Sequence, residues 1–123
     1  NGDITDTASA RKALNASGAA GVMVGRGAQG APWRLAEIAH GLGLAPRPAI
    51  PTGDALTAMV ADHYRAALAF YGPHLGPRVI RKHLGWYMDA AATPPDLRRT
   101  ILTGTPADVL ACLPDALAPR RAA

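Results

Sequence analysis

Residues 43–53 read Gly-Leu-Ala-Pro-Arg-Pro-Ala-Ile-Pro-Thr-Gly, and this stretch limits the folds open to the chain more than any other. Its three prolines lack amide donors and restrict the residues before them, while its two glycines favour turns. No helix or strand runs through such a segment; it reads as a linker. The 123 residues therefore divide into an amino-terminal part, 1–42, the linker, 43–53, and a carboxy-terminal part, 54–123.

The two parts differ in pattern. In the first, Thr7 to Ala16 predicts a short helix with Ala8, Ala10, Ala13 and Leu14 available for one face, and Ser17-Gly18 to stop it. Gly21-Val22-Met23-Val24-Gly25 follows, an apolar run bounded by glycines, which predicts a strand buried on both faces. Helix then buried strand is one half-turn of an α/β fold. A second helix is predicted from Ala31 to Leu42, opening on Pro32-Trp33 and continuing through Leu35, Ile38 and Ala39. Beyond the linker only helices are predicted. Asp54 to Tyr71 carries apolar residues at spacings of three and four, and Gly72-Pro73 ends it. Pro77 to Ala91, Pro94 to Leu102 and Thr105 to Leu113 complete a small bundle. Thr105-Pro106 supplies a hydroxyl cap followed by proline at the first helical position.

Composition narrows the function classes. Lys and Arg number 13 against 9 Asp and Glu, and eleven of those cations are Arg, a side chain suited to polyanions. A GC-rich coding bias explains the same numbers equally well, so position has to decide. The single cysteine, Cys112, excludes an internal disulfide and fits a reducing cytosol. No apolar run approaches the ~20 residues needed to span a membrane. The opening Asn1-Gly2-Asp3-Ile4 is no signal peptide and lacks an initiator Met, which allows the protein to begin upstream.

Two segments carry candidate chemistry. Val24-Gly25-Arg26-Gly27-Ala28 ends the expected strand in a glycine-flanked arginine, so backbone N–H groups and a guanidinium can meet an anion there. Most such triplets are only flexible loops. On the helix from Pro77, Val79, Ile80, His83, Leu84 and Tyr87 share an apolar face. Arg78, Arg81, Lys82 and Gly85 are left on another face, with Trp86 near its edge. Three cations beside an indole suit an RNA backbone and a stacked base, although a charge run is ordinarily a solvated face. His63 and His83 lie on apolar helix faces and read as hydrogen-bonded core residues, and Met59 and Met88 as core filler. Cys112 has no adjacent base and reads as structural.

Taken together, Asn1-Gly2-Asp3-Ile4, the run Gly21 to Gly30 and Pro32-Trp33 resemble the late barrel of bacterial tRNA-dihydrouridine synthases, the B-type in particular. His63, Tyr71-Gly72, Arg81-Lys82-His83-Leu84-Gly85-Trp86-Tyr87 and Leu97-Arg98 are similar to that family's helical region. The likeness runs from residue 1 to about residue 103 and agrees in spacing as well as in letters. It implies a mostly α chain, in which 1–42 is the last β/α unit of an FMN-binding (β/α)₈ TIM barrel and 54–123 a small C-terminal helical bundle that binds tRNA. It also implies an FMN-dependent reductase of the uridine C5–C6 bond in tRNA, with NADPH as electron donor.

Carried over by position, Asn1, Gly2, Asp3, Gly25 and Arg26 bind FMN, chiefly around its phosphate. Arg78, Arg81, Lys82, Trp86 and Arg98 are expected to contact tRNA, Arg98 in second rank beside Arg99; Arg120 and Arg121 carry less weight because their tail is free to be disordered. The family's catalytic cysteine lies on an earlier barrel loop that Cys112 does not match, so this piece alone is expected to be inert. The remaining expectations are a cytoplasmic setting, no metal and no membrane partner, with a monomeric whole enzyme and a self-associating fragment. One alternative stays open: a stand-alone RNA-binding helical module whose barrel remnant serves self-association. Another barrel enzyme that binds phosphate is a third reading, which the helical likeness opposes.

Overall fold

The computed structural model describes residues 2–120 and is mostly helical, with no strand among the described residues. Two compact units are present, Asn1–Ile50 and Pro51–Ala123, and each has its own core.

In the first unit helix α1 spans Thr7–Ser17. Asp6 caps it: its carboxylate accepts the Ser9 N–H at 2.7 Å, and the Asp6 N–H donates back to Ser9 Oγ at 3.1 Å. This reciprocal pair satisfies amides that the first turn leaves without partners. Gly18 ends the helix in the left-handed region at φ 66°, as the Ser17-Gly18 stop predicts. Helix α2 covers Arg34–Gly41, starting later than the expected Ala31 because residues around Pro32 and Trp33 form turns. Ile4, Ala10 and Ile38 make a small core, with Ala13, Val22, Val24 and Leu42 half-buried against it.

The strand predicted over Gly21 to Gly25 does not form. Val22 and Val24 face the core while Met23 is 63% exposed, so one side is covered rather than both. The reason is non-local. A strand is completed by neighbours that take up its N–H and C=O groups, and no second strand lies among the described residues.

In the second unit α3 runs over Gly53–Ala90 and is broken at Gly72, whose φ of 81° and ψ of 174° only glycine adopts readily. The limbs, residues 53–71 and 73–90, fold back on each other, with His63 of the first meeting Tyr87 of the second. The second limb begins at Pro73 rather than at the expected Pro77, since proline is well suited to a first helical position. Near the bend a Cβ on Gly76 would stand 2.9 Å from Leu68 Cα, so glycine there permits the close approach of the limbs. Helices α4 (Pro95–Thr103) and α5 (Pro106–Ala116) close the bundle, and Ile101, Val109 and Leu113 join Val60, Tyr64, Ile80 and Met88 in the core. Thr105 caps α5 through a reciprocal pair with Asp108, as its sequence predicts.

Arg120, in a tail that the sequence leaves free to be disordered, is held in place. Its guanidinium donates to the carbonyls of Ala91, Ala116, Asp115 and Ala118 at 2.8–3.3 Å, tying the end of α3 to the end of α5. Arg121 lies outside the described residues.

The two caps give the fold an acid limit. Hydrogen bonds from Ser9 to Asp6, and from Thr105 to Asp108, hold both carboxyls below their ordinary 3.8. A depressed carboxylate contributes stability that is complete above the unfolded value and lost as pH falls through the folded one. Helix content followed by circular dichroism from neutral pH into acid should therefore decline below about 3.8. The Asp6→Asn, Asp108→Asn double variant should lose the part of that decline owed to the caps; an unchanged profile would remove them as its cause.

Candidate functional site

The first candidate surface lies in the first unit, where the loop of residues 2–5 meets the short turn Arg26–Ala28. Gly27 allows the meeting, because a Cβ there would collide with the carbonyl oxygen of Ile4. The contact brings Arg26 Nη2 to 2.6 Å from Asp3 Oδ1, although 23 positions separate the two residues. Both side chains are more than two-thirds exposed, at 78% and 73%. An ion pair so open to water is worth ~0–1 kcal/mol and opens readily for a stronger anion. Gly25 precedes the turn, and a Cβ added to it meets nothing within 4 Å, so space beside the main chain is open. The first amides of any helical turn have no acceptor within it.

An exposed guanidinium at the start of a helical turn, with open space at glycine beside it, fits a phosphate monoester. Asp3 opposes it in charge and at the same time fixes the direction of Arg26. Of the five expected FMN residues, Gly2, Asp3, Gly25 and Arg26 lie in these two loops, and Asn1 lies outside the described residues. A groove of about 320 Å³ elsewhere in the unit, lined by Glu37, His40, Arg47, Pro48 and Ile50, contains none of them.

The second surface lies in the second unit. Arg81, Lys82, Trp86 and Arg98, four of the five expected RNA residues, line one groove of about 490 Å³ together with Asp89 and Leu102. Arg78 is exposed one turn earlier on the same limb and does not line it. Arg98 reaches across from α4, donating to Asp89 Oδ1 at 2.6 Å and to the Gly85 carbonyl at 3.4 Å. It thereby covers Gly85, which is buried rather than exposed as the helical face predicted. The periodicity of one helix says nothing about a side chain arriving from another.

Behind the groove runs a row of rings. Trp86 meets His83 edge to face at 5.0 Å, His83 meets His63 at 5.0 Å, and His63 Nδ1 shares a hydrogen bond of 3.1 Å with the Tyr87 hydroxyl. Burial, and then the neighbouring His83, lower the pKa of His63; burial raises that of Tyr87. His63 is thus a half-buried, hydrogen-bonded residue that favours its neutral form, and with the half-buried His83 it lies at the edge of the core rather than inside it as expected. Cys112 is half-buried against the same core. Sequence reasoning missed Asp89. Its position three after Trp86 and seven after Lys82 places it on their helix face, a signal that was available.

Among the described residues no group of three or more His, Cys, Asp or Glu side chains is placed to hold a metal, and no helix is long and apolar enough to cross a membrane.

A family model described as dihydrouridine synthase matches residues 1–116, and the chain belongs to that family. It is 57% identical over 124 residues to a probable tRNA-dihydrouridine synthase of Rhodobacter capsulatus, a match that takes in 100% of this chain and 38% of that protein. A probable tRNA-dihydrouridine synthase of Rickettsia conorii is 41% identical over 101 residues, 82% of this chain and 30% of the relative. The tRNA-dihydrouridine synthase B of Escherichia coli is 43% identical over 101 residues, 81% and 31% respectively. The chain thus spans between 30% and 38% of the length of these relatives.

Proposed function

We propose that this chain is the carboxy-terminal part of an FMN-dependent tRNA-dihydrouridine synthase, which reduces the C5–C6 bond of uridine in tRNA with NADPH as electron donor. The observation that carries the reading is the gathering of Arg81, Lys82, Trp86 and Arg98 around one groove in a chain of this family. On this reading residues 1–42 form the last β/α unit of a (β/α)₈ barrel, and Val22 to Val24 find their strand neighbours in the rest of that barrel.

Arg26 and the amides of its turn hold the FMN phosphate, Gly25 lets it approach the main chain, and Asp3 keeps the guanidinium directed. Asn1 and Gly2 belong to the same site. FMN, when bound, supplies the electrons that reach the uracil ring. The second unit orients the tRNA: Arg78, Arg81 and Lys82 meet its phosphates, and Trp86 and Arg98 shape the groove beside them.

The test uses the full-length protein. It should be yellow, and tRNA treated with it and NADPH should gain dihydrouridine by nucleoside mass analysis. Arg26→Gln should retain less flavin, with FMN affinity lowered about tenfold or more for the loss of a charge-assisted contact. A colourless protein with no such activity would sink the reading.

A second reading, an RNA-binding helical module without flavin, is favoured by the second unit's own core and by the reciprocal cap of α5. It requires salt-sensitive tRNA binding by the full-length protein in the absence of any FMN.

A further inference from the structure

An aspartate is an unexpected neighbour in a groove built from Arg81, Lys82 and Arg98. A carboxylate repels phosphate and can only accept hydrogen bonds, so it weakens any surface whose sole task is to track an RNA backbone. The donors that RNA offers are the 2′-hydroxyl and the N–H groups of its bases. Asp89 is 62% exposed in its side chain and its Oδ1 is engaged by Arg98 at 2.6 Å, which fixes the carboxylate in direction and turns two mobile charges into one oriented pair.

The surroundings offer a flat ring a place among these charges. Gly85 leaves the groove floor without a side chain, and a Cβ there would meet only the Arg98 guanidinium at 3.5 Å. Leu102 supplies an apolar wall. Trp86 is held edge to face against His83, with ring planes 82° apart, so its indole is oriented before any ligand arrives. The groove, about 490 Å³, is an open one with room for a single ring.

We propose that this groove receives one unstacked guanine base of the RNA, stacked on Trp86, with Asp89 accepting hydrogen bonds from its edge. Guanine is singled out because it presents an imino and an amino N–H side by side, which a carboxylate can accept together. Arg81 and Lys82 then hold the flanking phosphates. The inference rests on the reading that this face binds tRNA, and it adds base selection to what would otherwise be a purely electrostatic contact.

The experiment measures binding of the full chain to short oligouridylates carrying one central guanosine, inosine, adenosine or cytidine, by fluorescence anisotropy at low salt. Inosine lacks only the amino group of guanosine. The guanosine oligomer should bind about tenfold tighter than the inosine one, as expected for one hydrogen bond to a charged acceptor. Asp89→Asn should erase that ranking while binding the other oligomers at least as well.

If the unaltered chain binds all four alike, or Asp89→Asn strengthens all four by the same factor, the guanine site is overturned; the first of these needs no variant and so no question of folding. Arg81→Gln with Lys82→Gln separates the two layers. A uniform loss for every oligomer without a guanosine preference overturns the base site alone. No response from any oligomer or from tRNA overturns the tRNA face along with it.

Discussion

Leu113→Ala is expected to destabilise the second unit by about 2–5 kcal/mol, the range for removing a fully buried leucine and leaving part of its space empty. Leu113 is 1% exposed and sits on α5 among Val60, Ile80, Met88, Ile101 and Val109, so neighbours from α3 and α4 lose contacts together. A unit of this size holds only ~0.05–0.15 kcal/mol per residue of net stability. A loss of that order removes much of it. Trp86 is the one tryptophan beyond the linker, the other being Trp33, so its fluorescence in a Trp33→Phe background reports urea unfolding of this unit directly. The midpoint should fall with little change in the slope against urea. A midpoint within error of the unaltered chain would mean that α5 does not close the core as described.

The second large effect concerns tRNA. Arg81→Gln with Lys82→Gln removes two exposed cations at the rim of the groove, and neither change disturbs a buried group. If both meet phosphates, the slope of log affinity against log salt should become shallower by roughly 1.4–1.8, at about 0.7–0.9 per phosphate neutralised. Affinity at low salt should drop by about tenfold or more, and the double variant should keep the helix content and melting profile of the unaltered chain. An unchanged salt slope would show that these side chains face water alone.

The helices were legible because their signals are local. Ser17-Gly18, Gly72-Pro73 and Thr105-Pro106 each set a boundary within a few residues, and the apolar spacing on α3 places Val60, Ile80 and Leu84 in the core. What depended on distant chain was not legible. The run Val22 to Val24 has the composition of a buried strand, but a ladder needs a partner that these residues alone do not provide.

The same division holds at the sites. Arg81, Lys82 and Trp86 share a face by simple helical geometry, whereas the arrival of Arg98 over Gly85 required the fold. The meeting of Asp3 with Arg26 is bridged by no periodicity at all; the family likeness pointed to both loops, and the collision a Cβ on Gly27 would cause explains why they lie so close. Asp89 shares the face of Lys82 and Trp86 by the same helical pattern, but its negative charge is not what marks a polyanion surface.

The Arg120 clamp has an electrostatic consequence. The carboxyl ends of α3 and α5 each carry about half a negative elementary charge from their aligned peptide dipoles. They come together where Arg120 donates to the carbonyls of Ala91 and Ala116. One guanidinium there roughly cancels the pair, so the base of the bundle presents a nearly neutral field where two bare helix ends would form a negative spot. A polyanion following this unit would meet no fixed repulsion from those termini, and the residue responsible touches neither of the surfaces proposed to bind it.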